Sequence, residues 1–149
     1  MKRRLLWLLA SVLVGLASLL GPSSAVWAAE PQQAVFAGGC FWCLEHDLEV
    51  LPGVISAESG YSGGTTANPT YQQVSSGRTG HAESVLVRFD PDRISYATLL
   101  RAFWRNVDPL DGEGQFCDRG SSYRPVIFTG SADQLEPASE SGRLARQAL

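Results

Sequence analysis

Two cysteines separated by an aromatic pair are the residues best suited to chemistry, in the segment GGCFWCLE at positions 38–45. Apolar residues at helical spacing predict a helix over residues 40–51. Cys40 then lies in the first turn of this helix, where unpaired backbone N–H groups and the helix dipole favour the thiolate form. Phe41 and Trp42 are placed to form an apolar wall beside that sulfur. The pattern therefore predicts a nucleophilic thiol with a binding pocket next to it.

A glutamate in the segment HAESVLVRFD, residues 81–90, is the second candidate. Strict alternation predicts a strand with Glu83 on the same face as Val85, Val87 and Phe89. Desolvation on an apolar face raises the pKa of a carboxyl, so that Glu83 is expected to keep its proton near neutral pH. A protonated carboxyl beside a thiolate is a general acid for a departing oxygen. This combination indicates a reduction that requires no metal.

Alternatives for the cysteine pair stay open on these residues alone. Cys40 and Cys43 are also compatible with a structural disulfide, and a Phe-Trp pair is compatible with a core position. A zinc site needs about four ligands, and only Cys117 and two histidines remain, so no metal is predicted. The main rival is a C-x-x-C module of thioredoxin type that exchanges disulfides without further chemistry, although such modules have small residues between their cysteines.

The first 28 residues have the pattern of a signal peptide. A basic start (MKRR) precedes the apolar run LLWLLASVLVGLASLL and a zone of small residues ending at Ala28. The alternative is an uncleaved membrane anchor, but the run is shorter than the roughly 20 residues of a membrane span. We expect an exported protein, periplasmic or secreted, in a compartment that permits disulfides.

Residues 29–149 are expected to form one domain and to be monomeric. The leader contains three cations and no acids, so its removal changes the formal charge from −3 to −6. An acidic domain without a basic run argues against nucleic acid and against an anionic membrane surface as partners.

Strands alternating with helices predict an α/β (α+β) two-layer domain. The predicted elements are strands at 32–38, 54–62, 81–90 and 124–130, the helix at 40–51, a helix at 96–107 capped by Ser95, and a last helix. Ser131 and Gln134 predict a capping box for the last helix, which Pro137 and Gly142 are expected to interrupt. Two long glycine-rich loops, residues 63–80 and 110–123, are expected to be functional because of their length.

Five segments in fixed order resemble the A-type peptide methionine sulfoxide reductases: GGCFWCLE, GYSGG, NPTYQQVSSGRTGHAE, SYATLLRAFWRNVDP and DRGSSYR. The resemblance covers residues 34–130 and implies a two-layer sandwich with a central mixed sheet. It also implies a further segment after the last helix, so the chain is expected to be truncated at its C-terminus.

The resemblance assigns a role to each candidate residue. Cys40 matches the nucleophile that attacks the sulfoxide sulfur, and Glu83 matches the proton donor to the sulfoxide oxygen. The remaining matches are Phe41 and Trp42 as the wall for the substrate methyl group, Tyr71 and Tyr123 as hydroxyls bonded to that oxygen, and Asp118 as a supporting acid. The implied substrate is methionine sulfoxide of the S epimer, free or in oxidised proteins.

Recycling of the nucleophile needs a second thiol. Reduction would leave Cys40 as a sulfenic acid, which a thiol captures as a disulfide. Cys43 and Cys117 are the candidate resolving cysteines. Cys43 is closer in sequence. It is favoured because adjacent side chains in an extended loop point apart, so that Asp118 in the site is expected to turn Cys117 away from Cys40. No cofactor is expected beyond an external, thioredoxin-like thiol reductant.

Overall fold

A four-stranded sheet with helices packed on one face dominates the part of the chain that the computed structural model describes, residues 29–149. The predicted signal peptide, residues 1–28, lies outside the described residues. The elements are β1 (Gln32–Ala37), α1 (Phe41–Glu49), β2 (Val54–Ser62), α2 (Tyr71–Ser75), β3 (Ala82–Phe89), α3 (Tyr96–Asn106), β4 (Gly114–Gln115), β5 (Asp118–Arg119), a 3-10 turn (Ser121–Tyr123), β6 (Val126–Phe128) and α4 (Ala132–Gln147). Within residues 29–149, no helix has the length and apolar character needed to cross a membrane.

The strand order of the main sheet is β2-β3-β1-β6, and every neighbouring pair is antiparallel. The predicted two-layer α/β class is confirmed. The expected mixed sheet is wrong, because all neighbouring strands pair antiparallel. β1 and β2 run in the same direction, as a strand-helix-strand unit requires. β3 inserts between them and is antiparallel to both, so no parallel neighbours remain in this sheet.

One face of the sheet carries the core. Phe36 on β1 lies opposite Val85 on β3, and Ala34 lies opposite Val87. Leu44 and Leu48 of α1 and the apolar face of α3 cover this surface; the fully buried α3 residues are Leu99, Leu100 and Phe103. On the other face Leu86 is only half-buried and Arg88 is exposed, so the helices form a single covering layer.

The helix starts follow local sequence in one case and tertiary contacts in another. Ser95 caps α3 as predicted, because its hydroxyl accepts a hydrogen bond from Thr98 N–H at 3.2 Å. The predicted Ser131–Gln134 capping box is wrong. Gln134 instead accepts from Gly130 N–H at 2.9 Å and donates to the Gln33 carbonyl at 2.6 Å, which ties α4 to β1.

Helix α4 also continues through Pro137 and Gly142, so the predicted interruption is wrong. Pro137 follows the first turn and removes a single helical hydrogen bond. Gly142 lies under the indole of Trp104, where an added β-carbon would be 3.3 Å from Cζ2. Trp104 also donates to Ser141 Oγ at 3.0 Å, and this packing on α3 keeps the helix continuous.

The first long loop has more order than the sequence indicated. It contains the short helix α2, begun by a capping box in which Thr70 and Gln73 satisfy each other's backbone N–H groups. His81 fastens the rest, because Nδ1 accepts from Gly64 N–H at 3.1 Å and Nε2 donates to the Thr66 carbonyl at 2.9 Å. The loop therefore holds Tyr71 in a fixed place.

The glycine pair before Cys40 has a packing role that the sequence did not reveal. A β-carbon on Gly38 would lie 2.5 Å from Val107 Cγ1, at the end of α3. Gly39 has a φ of +73° and lies against the Gln115 side chain. The turn leading into α1 is thus pressed against two other parts of the domain.

We expect Gly38→Ala to lower the free energy of unfolding by roughly 1–3 kcal/mol, because the added methyl group overpacks against Val107. Gly60→Ala is the matched control: nothing lies within 4 Å of its added β-carbon, and neither glycine has a positive φ. Urea unfolding of both variants makes the comparison. Equal unfolding midpoints would show that the Gly38 contact has no energetic weight.

Candidate active site

The predicted site residues come from segments that leave or enter the same edge of the sheet. Cys40 follows the end of β1, Tyr71 follows β2, Glu83 begins β3 and Tyr123 precedes β6. The register brings these ends together, because Ala37 pairs with both Ser84 and Val126. The structure therefore gathers residues that are up to 83 positions apart in sequence at one location.

Cys40 is the residue immediately before the first turn of α1. Its backbone is extended, with φ −63° and ψ 118°, and its carbonyl accepts from Leu44 N–H at 3.2 Å. The sulfur-bearing side chain is half-buried and free of any disulfide. The first N–H of the helix, that of Phe41, donates to Glu83 Oε2 at 3.2 Å. This hydrogen bond brings the candidate nucleophile and the candidate acid together.

Glu83 is buried on the core face of β3, with 2 % of its surface exposed. Its predicted burial is confirmed. Burial raises the pKa of this carboxyl, the Phe41 N–H lowers it, and the negative charge of Asp118 raises it, with a net rise. Oε1 has no hydrogen-bond partner among the described residues. The raised pKa favours the protonated form that a proton donor needs, and Oε1 is free, while the catalytic role of Glu83 stays a prediction.

Aromatic rings line the approach to Cys40. The Phe41 ring lies 5.3 Å from that of Trp42 and 6.3 Å from that of Tyr71, measured between centroids. Trp42 and Tyr71 stack almost parallel, at 6.3 Å and 7°. Phe41 is buried, whereas Trp42 is 65 % and Tyr71 47 % exposed. The two residues predicted as one wall therefore have different positions, with Phe41 at the base and Trp42 at the rim.

Tyr61 is a site residue that the sequence did not identify. It pairs directly with Glu83 across β2 and β3, and its ring lies 5.8 Å from that of Phe41. Burial, followed by the charge of Glu83, raises the pKa of its hydroxyl. Its only sequence signal is its place in GYSGG, because the strand register is needed to put it opposite the acid.

Tyr123 and Asp118 reach the site from the second long loop. Burial and the charge of Glu83, together with a hydrogen bond to Tyr71, raise the pKa of Tyr123 to about 12. Its hydroxyl therefore remains a proton donor at neutral pH. The negative charge of Asp118 raises the pKa of both Glu83 and Tyr123, which shows that it faces the same cluster.

Three hydrogen bonds to backbone carbonyls hold this loop. Gly39 N–H donates to the Tyr123 carbonyl at 3.0 Å, directly before the nucleophile. The Arg124 guanidinium donates to the Gly80 carbonyl at 3.0 Å and to the Ser121 carbonyl. Tyr123 is thereby fixed between the nucleophile turn and the start of β3.

All three cysteines line one cleft of about 310 Å³, and all are free thiols. The neighbouring Cys40 sulfur raises the pKa of the Cys43 thiol. Cys117 is exposed in a two-residue turn between Gln115 and Asp118, which pair as β4 and β5. Phe116, the first residue of the turn, has φ +51°, as in type II′ hairpins.

This turn corrects one interpretation of the sequence. Adjacent side chains in an extended loop point apart, so Asp118 in the site would turn Cys117 away from Cys40. The loop is a tight hairpin instead, and both residues line the cleft that contains Cys40. Cys117 is therefore placed near the nucleophile, as Cys43 is.

The raised pKa of Glu83 predicts a pH-dependent stability. Above the ordinary carboxyl pKa of 4.5 the unfolded chain loses this proton while the folded chain retains it. The free energy of unfolding should therefore fall as pH rises from about 4.5 towards the raised pKa, and Glu83→Gln should lack this fall. Urea unfolding between about pH 4 and pH 8 measures the difference. Glu58→Gln, at an exposed carboxyl, is the control; curves for Glu83→Gln parallel to the parent would refute the prediction.

Comparison with known proteins places this geometry in a family. The family model for peptide methionine sulfoxide reductase matches residues 32–148. Peptide methionine sulfoxide reductase MsrA 2 of Caulobacter vibrioides is 49 % identical over 142 residues, covering 95 % of this chain and 69 % of the relative. MsrA of Limosilactobacillus reuteri is 51 % identical over 76 % of this chain and 65 % of its own length. The chain thus spans about two-thirds of the length of these curated relatives.

Solved structures agree with the sequence relatives. Methionine sulfoxide reductase A of Corynebacterium diphtheriae superposes with a TM-score of 0.72 at 31 % identity, over 78 % of this chain and 55 % of that one. Reduced Mxr1 from Saccharomyces cerevisiae gives a TM-score of 0.75 at 25 % identity, over 80 % and 70 %. On the matched residues and the shared fold, the chain belongs to the peptide methionine sulfoxide reductase family, A type.

Proposed function

We propose that the chain reduces methionine sulfoxide to methionine, with Cys40 as nucleophile and Glu83 as general acid. The observation that carries this proposal is the hydrogen bond from Phe41 N–H to Glu83 Oε2, which fixes a buried carboxyl of raised pKa beside the residue that follows Cys40. Disulfide exchange breaks no sulfur–oxygen bond and so has no departing oxygen for this carboxyl to protonate.

In the proposed reaction the Cys40 thiolate attacks the sulfoxide sulfur. Glu83 supplies a proton to the sulfoxide oxygen as the sulfur–oxygen bond breaks. In net terms the oxygen is transferred to Cys40, which becomes a sulfenic acid, and two electrons pass to the sulfoxide, which becomes methionine. No metal or cofactor takes part in this balance.

The other site residues support the same step. Phe41 and Trp42 provide apolar surface for the S-methyl group, with Tyr61 extending it. Tyr123, whose pKa is raised to about 12, and Tyr71 offer hydroxyls to the sulfoxide oxygen. The charge of Asp118 favours the protonated form of Glu83. The substrate is the S epimer, free or within oxidised proteins.

Recovery of Cys40 requires a second thiol, and we assign this role to Cys43. The thiol attacks the sulfenic sulfur, forms a disulfide and releases water. Cys43 lines the same cleft as Cys40, and the neighbouring Cys40 sulfur raises the pKa of its thiol. Residues three apart on a helix have β-carbons about 5–6 Å apart, so a disulfide at about 4 Å needs a small adjustment at the start of α1. A thioredoxin-like dithiol then reduces the disulfide.

Turnover of methionine sulfoxide with dithiothreitol tests the proposal. Cys40→Ser should retain less than about a tenth of the parent activity, since no other thiol has its place at the helix start. Glu83→Gln should slow single-turnover methionine formation by roughly 10²–10⁴-fold, the usual effect of losing a general acid. Glu58→Gln serves as the control. An unchanged rate for Glu83→Gln, with intact disulfide exchange at Cys40, would favour a disulfide carrier instead.

Peptide mapping after one turnover without reductant tests the resolving role. We expect a Cys40–Cys43 disulfide in the parent and its loss in Cys43→Ser, because Cys43 lies in the first turn of the helix that Cys40 precedes and in the same cleft. Cys117→Ser is the matched control and should leave the link intact. If Cys40–Cys117 is the only disulfide, and Cys43→Ser leaves it unchanged, the assignment is wrong and Cys117 is the partner.

A further inference from the structure

The side chain of Gln115 is entirely buried, with 0 % of its surface exposed, and has no part in the proposed reaction. Its amide satisfies three backbone groups of the preceding loop. Oε1 accepts from Asp108 N–H at 2.6 Å, and Nε2 donates to the carbonyls of Asp108 and Asp111, each at 3.0 Å. These hydrogen bonds thus tie residues 108 and 111 to Gln115 and hold the segment 108–115 in a closed loop.

The same side chain touches the turn that carries the nucleophile. An added β-carbon on Gly39 would lie 3.0 Å from Gln115 Cβ and 3.7 Å from its Cγ, with no other contact within 4 Å outside the adjoining residues. Gly39 has φ +73° and precedes Cys40 directly. The Cβ and Cγ atoms of Gln115 therefore form the surface against which this turn packs.

Gln115 also pairs with Asp118 across the β4–β5 hairpin. Asp118 is the acid whose charge raises the pKa of Glu83 and of Tyr123. One residue thus contacts the nucleophile turn through its side chain and the supporting acid through its backbone. A displacement of Gln115 would change the distance between Cys40 and Asp118.

We propose that Gln115 is a positioning residue, whose buried amide holds the loop that carries Cys117 and Asp118 in register with Gly39 and Cys40. Only an amide supplies two donors and an acceptor on one planar group of this length. An apolar residue of equal length leaves Asp108 N–H and two carbonyls unsatisfied in the interior. An ionised glutamate presents no donor to those carbonyls. The proposal rests on the proposed function for its kinetic test.

We expect Gln115→Met to lower kcat for methionine sulfoxide by about 10–100-fold and to leave KM within about threefold, because misplacement of catalytic groups by about 1 Å costs up to that factor in rate. The stem of Met keeps the contact with Gly39, so the loss reports on the amide. If the variant shows no cooperative unfolding, Gln115→Glu, which keeps the acceptor for Asp108 N–H, is measured in its place.

Two control variants separate positioning from general destabilisation. Val87→Ala removes buried volume from the core on β3, outside the cleft. If its unfolding midpoint falls by an amount comparable to that of Gln115→Met, Val87→Ala should still keep kcat within about twofold of the parent, as expected for an independent site. Gln147→Met, on the surface of α4, should match the parent in both measurements. A kcat for Gln115→Met within twofold of the parent, or no lower than for Val87→Ala, would overturn the proposal.

A measurement that does not depend on turnover separates the proposed role of Gln115 from the proposed function. We expect iodoacetamide to alkylate Cys40 at least about threefold faster in Gln115→Met than in the parent, because the loop that lines the cleft around Cys40 loses the hydrogen bonds of the amide and the half-buried thiol becomes more accessible; mass spectrometry gives the rate for each cysteine. If the parent reduces no methionine sulfoxide, the proposed function fails, and this rate still decides the role of Gln115. Equal Cys40 rates in the parent and in Gln115→Met would then refute it.

Discussion

The hydrogen bond between Phe41 N–H and the Glu83 carboxyl is the interaction on which the site depends. A helix start has N–H groups without partners, and an anion is the usual group to satisfy them. Here the partner is a carboxyl that burial and Asp118 both push towards its neutral form. The hydrogen bond satisfies an N–H group at the helix start and also fixes the position of the acid next to Cys40.

The fold makes this contact possible by its strand order. Because β3 lies between β1 and β2, its first residues stand at the centre of the edge where the nucleophile turn and the aromatic loop emerge. Three polar side chains then hold the loops at that edge through hydrogen bonds. His81 holds the first long loop, Arg124 holds the 3-10 turn, and Gln115 holds the β4–β5 hairpin. The core fixes the position of the edge, and these hydrogen bonds fix the loops that extend from it.

Features that depend on neighbouring residues could be predicted from the sequence, and those that depend on strand register could not. The helix start at Cys40, the buried face of Glu83 and the Ser95 cap follow from local spacing. Tyr61 was missed because only the β2–β3 register places it opposite Glu83. The capping box failed because Gln134 bonds a carbonyl 101 residues away. A non-local partner of this kind leaves no trace in a local pattern.

The sequence was also misleading where a loop had an unexpected shape. An extended chain would have separated Cys117 from the site, whereas a two-residue turn with a left-handed Phe116 carries it into the cleft. Such a conformation is rare for a bulky residue, and residue preferences alone give no reason to expect it. Family resemblance supplied the roles of Asp118 and Tyr123, but the geometry of the thiols came only from the fold.

The stacked pair of Trp42 and Tyr71 stands at the protein surface, where 65 % of Trp42 and 47 % of Tyr71 are exposed to solvent. In the proposed reaction the sulfoxide side chain passes these exposed rings to reach the half-buried Cys40. For the proposed reaction, the methionine sulfoxide must therefore project from the surface of the substrate protein that contains it. Sulfoxides in flexible tails and loops would be repaired in place, whereas those enclosed in a folded core would be reached only after that core opens.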